Sequence, residues 1–347
     1  MKPERIIRLT CLLAVWLALM VSCKKEEPLV TDMRPQLTVI TSISGLGDMG
    51  YNDMIMSGIM KFYDEQDINM SMFHPTDMEE VKQSVSSWCS STAGIQKKCM
   101  LLLADNAYEK ILRELNISLA DNQNILIFET ESKDLPKGVI TFNIDRYGVA
   151  YLAGCMAMKH EAATVVAAMP DNHILDRAID GFRDGYCSEG NTHFEVIYLA
   201  EDDSGFRMQN KAYQITGEMN NSFIFPVAGG SNNGVYKYSR EDNIFLPLIA
   251  GMDVDCSYFS PRVPFSVVVR IDELVNEYLT AWSEGKEMEP YSTYGLASGM
   301  TDIVTSKIFY GNLTIWEDYY DSPDFWDRMY IKYKDKALSI ESENENL

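Results

Sequence analysis

Residues 45–53, Gly-Leu-Gly-Asp-Met-Gly-Tyr-Asn-Asp, put a carboxylate, an aromatic ring and an amide (Asp48, Tyr51, Asn52) on one glycine-rich loop. Glycine lets a backbone take positive φ and approach a ligand closely, and the helix expected behind the loop offers unpaired N–H groups. The spacing of Gly45, Gly47 and Gly50 satisfies the G-x-G-x-x-G dinucleotide fingerprint. Asp48 would nevertheless set a carboxylate beside a pyrophosphate, and Tyr51 with Asn52 suits a neutral polar ligand better. Two further glycine turns carry similar chemistry: residues 228–234, where Gly229 and Gly230 precede two asparagines, and residues 251–255, with Asp253. Asp48 and Asp253 could act as acid and base in an exported hydrolase. The chain offers no nucleophile elbow and no paired-carboxylate motif at fixed spacing, so a non-catalytic binding site is the better reading.

These turns need strands before them and helices behind them, and the apolar pattern supplies both. Residues 37–41 read as a strand; Ile55, Ile59 and Phe62 recur at helical spacing; Ile68, Met70 and Met72 alternate as in a strand. Residues 77–80 open a helix in capping-box style, with Val81, Val85 and Trp88 on its inner face. The runs 100–103 and 125–128 are too short for helices and read as buried parallel strands. The pattern restarts near residues 142–147 with a small-residue helix, 149–154, and a strand, 164–168, so two successive α/β lobes are expected. In such sheets ligands gather at the carboxyl ends of strands, where loops from two lobes would face each other across a cleft.

With 347 residues, 46% hydrophobic, the chain can bury a large core and has the length of about two domains. Its net charge is −21, and the surplus of +2 from Lys2, Arg5 and Arg8 against Glu4 leaves the remainder near −23, which disfavours nucleic acid as a partner. The apolar run 9–21 behind those basic residues is shaped like a signal peptide (residues 1–22). It ends Leu19-Met20-Val21-Ser22-Cys23, which resembles a bacterial lipobox, so Cys23 is the expected lipidated N-terminus and residues 23–35 a tether. Such a chain belongs in the cell envelope, periplasm-facing or surface-exposed. Without a C-x-x-C pair, and with four scattered histidines, no metal site is expected, and no cofactor either. Cys89 and Cys99 are expected to close a short disulfide loop in that oxidising compartment.

Residues 47–53, 228–234, 251–255 and 265–272 occur in the order of the basic membrane protein (BMP) family, and the chain resembles its PnrA-like members over about residues 36–300. Those members are substrate-binding lipoproteins of ABC importers, several of which bind purine nucleosides. The resemblance implies a type I periplasmic-binding fold, with two Rossmann-like lobes joined by a hinge and closing on a small polar ligand, and an ABC permease as partner. It implies that Asp48, Tyr51 and Asn52 line one side of the cleft, that Gly229 and Gly230 admit the opposing backbone, and that Asp253 takes ribose hydroxyls. Asp105, in a loop that lacks the family's glycine-aromatic turn, is expected to face the cleft as well. One departure stands out: the lysine of the family's Ser-Val-Val-Lys-Arg-Val-Asp pattern falls at Val269. Restoring it would, on this resemblance, favour purine nucleosides; its absence keeps open the alternative of a ligand-sensing or surface lipoprotein without a transport role. The expected layout is an N-terminal lobe over 36–145 with a return segment near 258–292, a C-terminal lobe over 146–257 with 293–340, and an acidic tail, 341–347.

Overall fold

In chain order, β1 (Gln36–Ile40), α1 (Tyr51–Glu65), β2 (Asn69–Phe73), α2 (Met78–Thr92), β3 (Cys99–Leu103), α3 (Glu109–Glu114), β4 (Gln123–Phe128) and β5 (Val139–Ile144) build the first half. There follow α4 (Tyr147–Ala157), β6 (Ala162–Ala167), α5 (His173–Cys187), β7 (Phe194–Tyr198), α6 (Gln209–Glu218), β8 (Ser222–Val227), α7 (Asn232–Ser239), β9 (Leu248–Ile249) and β10 (Gly251–Asp253). The last elements are β11 (Phe265–Val269), α8 (Ile271–Glu284), β12 (Tyr291–Tyr294), β13 (Thr301–Thr305) and α9 (Phe325–Asn344). This computed structural model describes residues 32–219, 222–241, 247–307, 309 and 324–344. The chain divides into Met1–Met33 and Arg34–Leu347; the expected signal peptide and Cys23 lie outside the described residues.

The short apolar runs are parallel strands because both of their faces are covered. The N-terminal sheet has the order β12-β5-β4-β3-β1-β2, with every pairing parallel. Its alternating side chains divide between two clusters. Leu37, Val39, Leu102 and Leu126 meet α1 and α8 on one face; Leu101, Leu103, Ile125 and Ile127 meet Val81, Val85 and Trp88 of α2 on the other. The N-cap of α2 is Asp77, whose carboxylate accepts the Glu80 N–H at 2.9 Å. The C-terminal lobe is built on the parallel sheet β7-β6-β8-β9 and on a three-stranded sheet, β10-β11-β13, in which β13 is antiparallel. Every residue of α4 is buried, and its backbone lies against α5: a Cβ at Gly154 or Gly185 would collide with main-chain carbonyls.

The chain passes between lobes at 144–147, at 269–271 and at 295–301. Backbone bonds tie the crossings together: the Asp145 N–H donates to the Tyr294 carbonyl at 2.6 Å, and the Arg270 N–H to the Met300 carbonyl at 2.9 Å. Two expectations need correction. Cys89 and Cys99 are free thiols; the turn from α2 to β3 is closed instead by Asn122, which donates to the Thr92 and Lys97 carbonyls, and by Gln123, which donates to the Cys89 carbonyl. Over its described residues the acidic stretch from Glu341 is not a separate tail, because α9 continues through Asn344 and the Glu341 side chain is fully buried; residues 345–347 lie outside the described residues.

Candidate ligand-binding cleft

Strand ends from both lobes meet around a cavity of about 610 Å³, lined by Asp48, Tyr51, Asn52, Asp105, Gly229, Gly230 and Asp253 together. Each lies at or just beyond the carboxyl end of a strand, or on the first turn of α1. The lobes also touch beside it: the Asn233 amide donates to the Asp48 carbonyl at 3.2 Å, and a Cβ on Gly230 would lie 3.6 Å from that of Asp48.

These residues have different tasks. Asp48 is largely consumed locally, accepting the N–H groups of Gly50 (3.0 Å), Asn52 (2.9 Å) and Asp53 (3.2 Å), and so caps the otherwise unpaired first turn of α1. Asp53 in turn accepts from Gly47 and Met49, which fixes the loop's shape. Asp105 accepts the Ser42 hydroxyl at 2.6 Å and the Ala107 N–H at 3.0 Å; burial pushes its carboxyl up, and these two bonds oppose that. The Asn52 amide makes no side-chain hydrogen bond among the described residues and faces the cavity with its donors and acceptor available.

Asp253 differs from the other acids. It is 8% exposed, ends β10 with φ of 69°, and among the described residues no group donates a hydrogen bond to its carboxylate. Burial pushes its carboxyl up to about 6; Arg146 opposes the rise, while Asp48 and Glu129 add to it. Backbone strain of this kind in a non-glycine residue is held only where its surroundings over-determine it. The side chain comes close to the loop of the other lobe, 3.2 Å from where a Gly50 Cβ would stand.

Beneath it lies a cluster that the sequence did not disclose. Arg146, in the first crossing, grips both oxygens of Glu129 and also donates to the Ile144 carbonyl at 3.0 Å. Burial opposes the Arg146 charge, but Glu129 more than compensates, holding the guanidinium above its ordinary pKa. The Tyr51 hydroxyl donates to Glu129 too, and its ring centroid lies 5.8 Å from the guanidinium. Burial, then the Glu129 charge, keeps that phenol firmly protonated. Glu129 is itself left-handed, with φ of 52°, at the end of β4. The sequence signal for it was an acid directly after a buried apolar strand; Arg146 had none. Phe206 also lines the cavity, and Gly229 makes room for it, since a Cβ there would stand 2.9 Å from its ring. Val269, by contrast, is buried in the N-terminal core and does not line the cavity.

The family model described as ABC transporter substrate-binding protein, PnrA-like, matches residues 36–320. The chain belongs to this BMP family. By that family's description it is a substrate-binding protein of the ABC-transporter class, whose members bind small molecules outside the cytoplasm. No curated protein matches the sequence. Among solved structures, a solute-binding protein of an ABC transporter system from Aeropyrum pernix K1 is 16% identical, with a TM-score of 0.67 over 89% of this chain and 90% of that one. A transcriptional activator of the comK gene from Bacillus halodurans (14% identical) has a TM-score of 0.65 over 86% and 96%. A sugar-binding protein of a sugar ABC transporter from the same organism (14% identical) has 0.55 over 80% and 99%. At such identities the likeness is one of fold, the two-lobed type I periplasmic-binding architecture. Among the described residues no helix is long and apolar enough to cross a membrane, and no cluster of His, Cys, Asp and Glu could hold a metal ion.

Proposed function

We propose that this BMP-family protein is a lipid-anchored receptor that captures a nucleoside or a close relative between its lobes and passes it to an ABC permease. The observation that carries the reading is Asp253: a buried carboxylate with no donor of its own, facing a cavity of about 610 Å³ that also holds the Asn52 amide and the Phe206 ring. A carboxylate can accept from both hydroxyls of a cis-diol, and a flat ring and an amide suit a planar heterocycle. Asp48 acts mainly by shaping its loop, and Tyr51 by holding Glu129. The negative cleft floor, in which the Arg146 charge is already matched by Glu129, disfavours phosphorylated ligands.

Native mass spectrometry of the purified protein would identify a copurifying ligand, and calorimetric titration with nucleosides, free pentoses and nucleotides tests the class. Nucleoside binding without turnover is expected; tight binding of a nucleotide, or of none of these, would refute the assignment. The anchor is tested separately: Cys23→Ala should move the protein from the detergent phase to the aqueous phase. Unchanged partitioning would remove the lipoprotein reading.

A further inference from the structure

The C-terminal helix reaches the hinge through one side chain. Helix α9 is tied to the C-terminal lobe along its length: Thr305 donates to Asp327 at 2.6 Å, Lys334 reaches Asp302 at 3.1 Å, Tyr333 donates to Glu189 at 2.6 Å, and Trp326 is fully buried in that lobe's core. Near its end Glu341, also fully buried, leaves this lobe's surface and accepts the N–H groups of Leu296 at 2.7 Å and Ala297 at 2.8 Å. Both belong to the crossing that runs from β12 in the N-terminal sheet to β13 in the C-terminal lobe. Two glycines form the socket. A Cβ on Gly148, in the first turn after the 144–147 crossing, would stand 2.8 Å from the Glu341 Cβ, and one on Gly295 would collide with the carboxylate. One side chain thus occupies the space between two of the three interlobe crossings found among the described residues, with its acceptors satisfied by backbone of the hinge.

We propose that Glu341 is a positioning residue for ligand capture: its carboxylate pins the 295–297 segment against the start of α4 and thereby sets how the lobes open and close. A buried carboxylate held by two backbone N–H groups cannot slide without leaving an unpaired charge, so the crossing must either keep this geometry or expel the helix end. The hinge angle is therefore coupled to the docking of α9, a helix that does not touch the cleft. The proposal rests on the reading of the protein as a closing receptor, but not on which ligand it takes.

The test uses the full chain with Glu341→Gln, which keeps the shape but replaces one acceptor by a donor, and Gly295→Ala, which fills the socket while leaving the sequence of α9 unchanged. Hydrogen exchange should show the Leu296 and Ala297 amides losing protection by about tenfold or more in both variants, with β6 unchanged. Small-angle scattering of the ligand-free variants should show a changed radius of gyration, and dissociation of adenosine should be faster. If both variants merely melt earlier, with the wild-type scattering curve and wild-type protection at these two amides, Glu341 only docks the helix and the proposal is wrong. Failure of adenosine to bind the wild type would overturn the nucleoside reading, while exchange and scattering would still decide the role of Glu341.

Discussion

Replacing Asp253 by asparagine should stabilise the ligand-free protein and disable it. A carboxyl held near 6 by burial, against 3.8 in an unfolded chain, costs about 3 kcal/mol to ionise in place. Well below pH 3.8 the residue is neutral in both states and contributes no penalty. As pH rises the unfolded chain gives up its proton first, so folding stability falls through the window from 3.8 to about 6 and stays lower above it. Asparagine has nearly the same volume and carries no charge, and its amide can donate toward Asp48 and Glu129. At pH 7.5 Asp253→Asn should therefore be more stable than wild type by as much as about 3 kcal/mol, or several degrees in Tm, with the difference shrinking to about 0.5 kcal/mol at pH 4. The ligand affinity of the wild type should rise with pH through about 6, as the acceptor becomes charged, and the variant should lose about tenfold or more with no such pH dependence. Thermal melts at pH 4 and 7.5, with calorimetry at the same values, make the measurement. A variant no more stable than wild type at pH 7.5, or one that keeps full affinity, would refute the account of Asp253 as a buried acceptor held without a donor.

Arg146→Met leaves the Glu129 charge buried and unmatched and should cost about 3 to 5 kcal/mol; adding Glu129→Gln should restore much of it in a double-mutant cycle of melts. Phe206→Ala should weaken nucleosides by about 1 to 3 kcal/mol in calorimetry while leaving any free pentose nearly unaffected, since only the base loses a stacking surface. Val269→Lys would place an ammonium in the N-terminal core and should lower stability by about 3 kcal/mol or more without improving nucleoside affinity; a gain in affinity at unchanged Tm would reverse that expectation.

The frame was legible because its signals are local. Residues 100–103 and 125–128 are apolar on both faces of a sheet, and Ile55, Ile59 and Phe62 fall on one stripe of α1, so period and length alone name the elements. The glycine loops were legible as cleft edges because a close approach needs glycine wherever strands end, and they do line one cavity. Burial decided by distant partners was not legible. Glu341 lies in an acidic stretch whose composition reads as solvated, yet Gly148 and Gly295, far away in sequence, open the socket that buries it. Cys89 and Cys99 are near neighbours in sequence, but the amides of Asn122 and Gln123 take up the turn between them.

Charge balance in the cleft shows the same limit from the other side. Read by position, valine at 269 leaves the site without the lysine that the resemblance implies, and the site looks short of one cation. In the fold a cation is present but enters from the first crossing: Arg146 reaches the end of β4, pairs with Glu129 and lies close enough to Asp253 to lower its carboxyl's pKa against the pull of burial. Because Glu129 already matches that guanidinium, the unmatched charge within this Arg146, Glu129 and Asp253 group belongs to Asp253, and it is negative. A ligand that donates hydrogen bonds to Asp253 therefore gains what an acidic one would lose, whichever residue stands at 269.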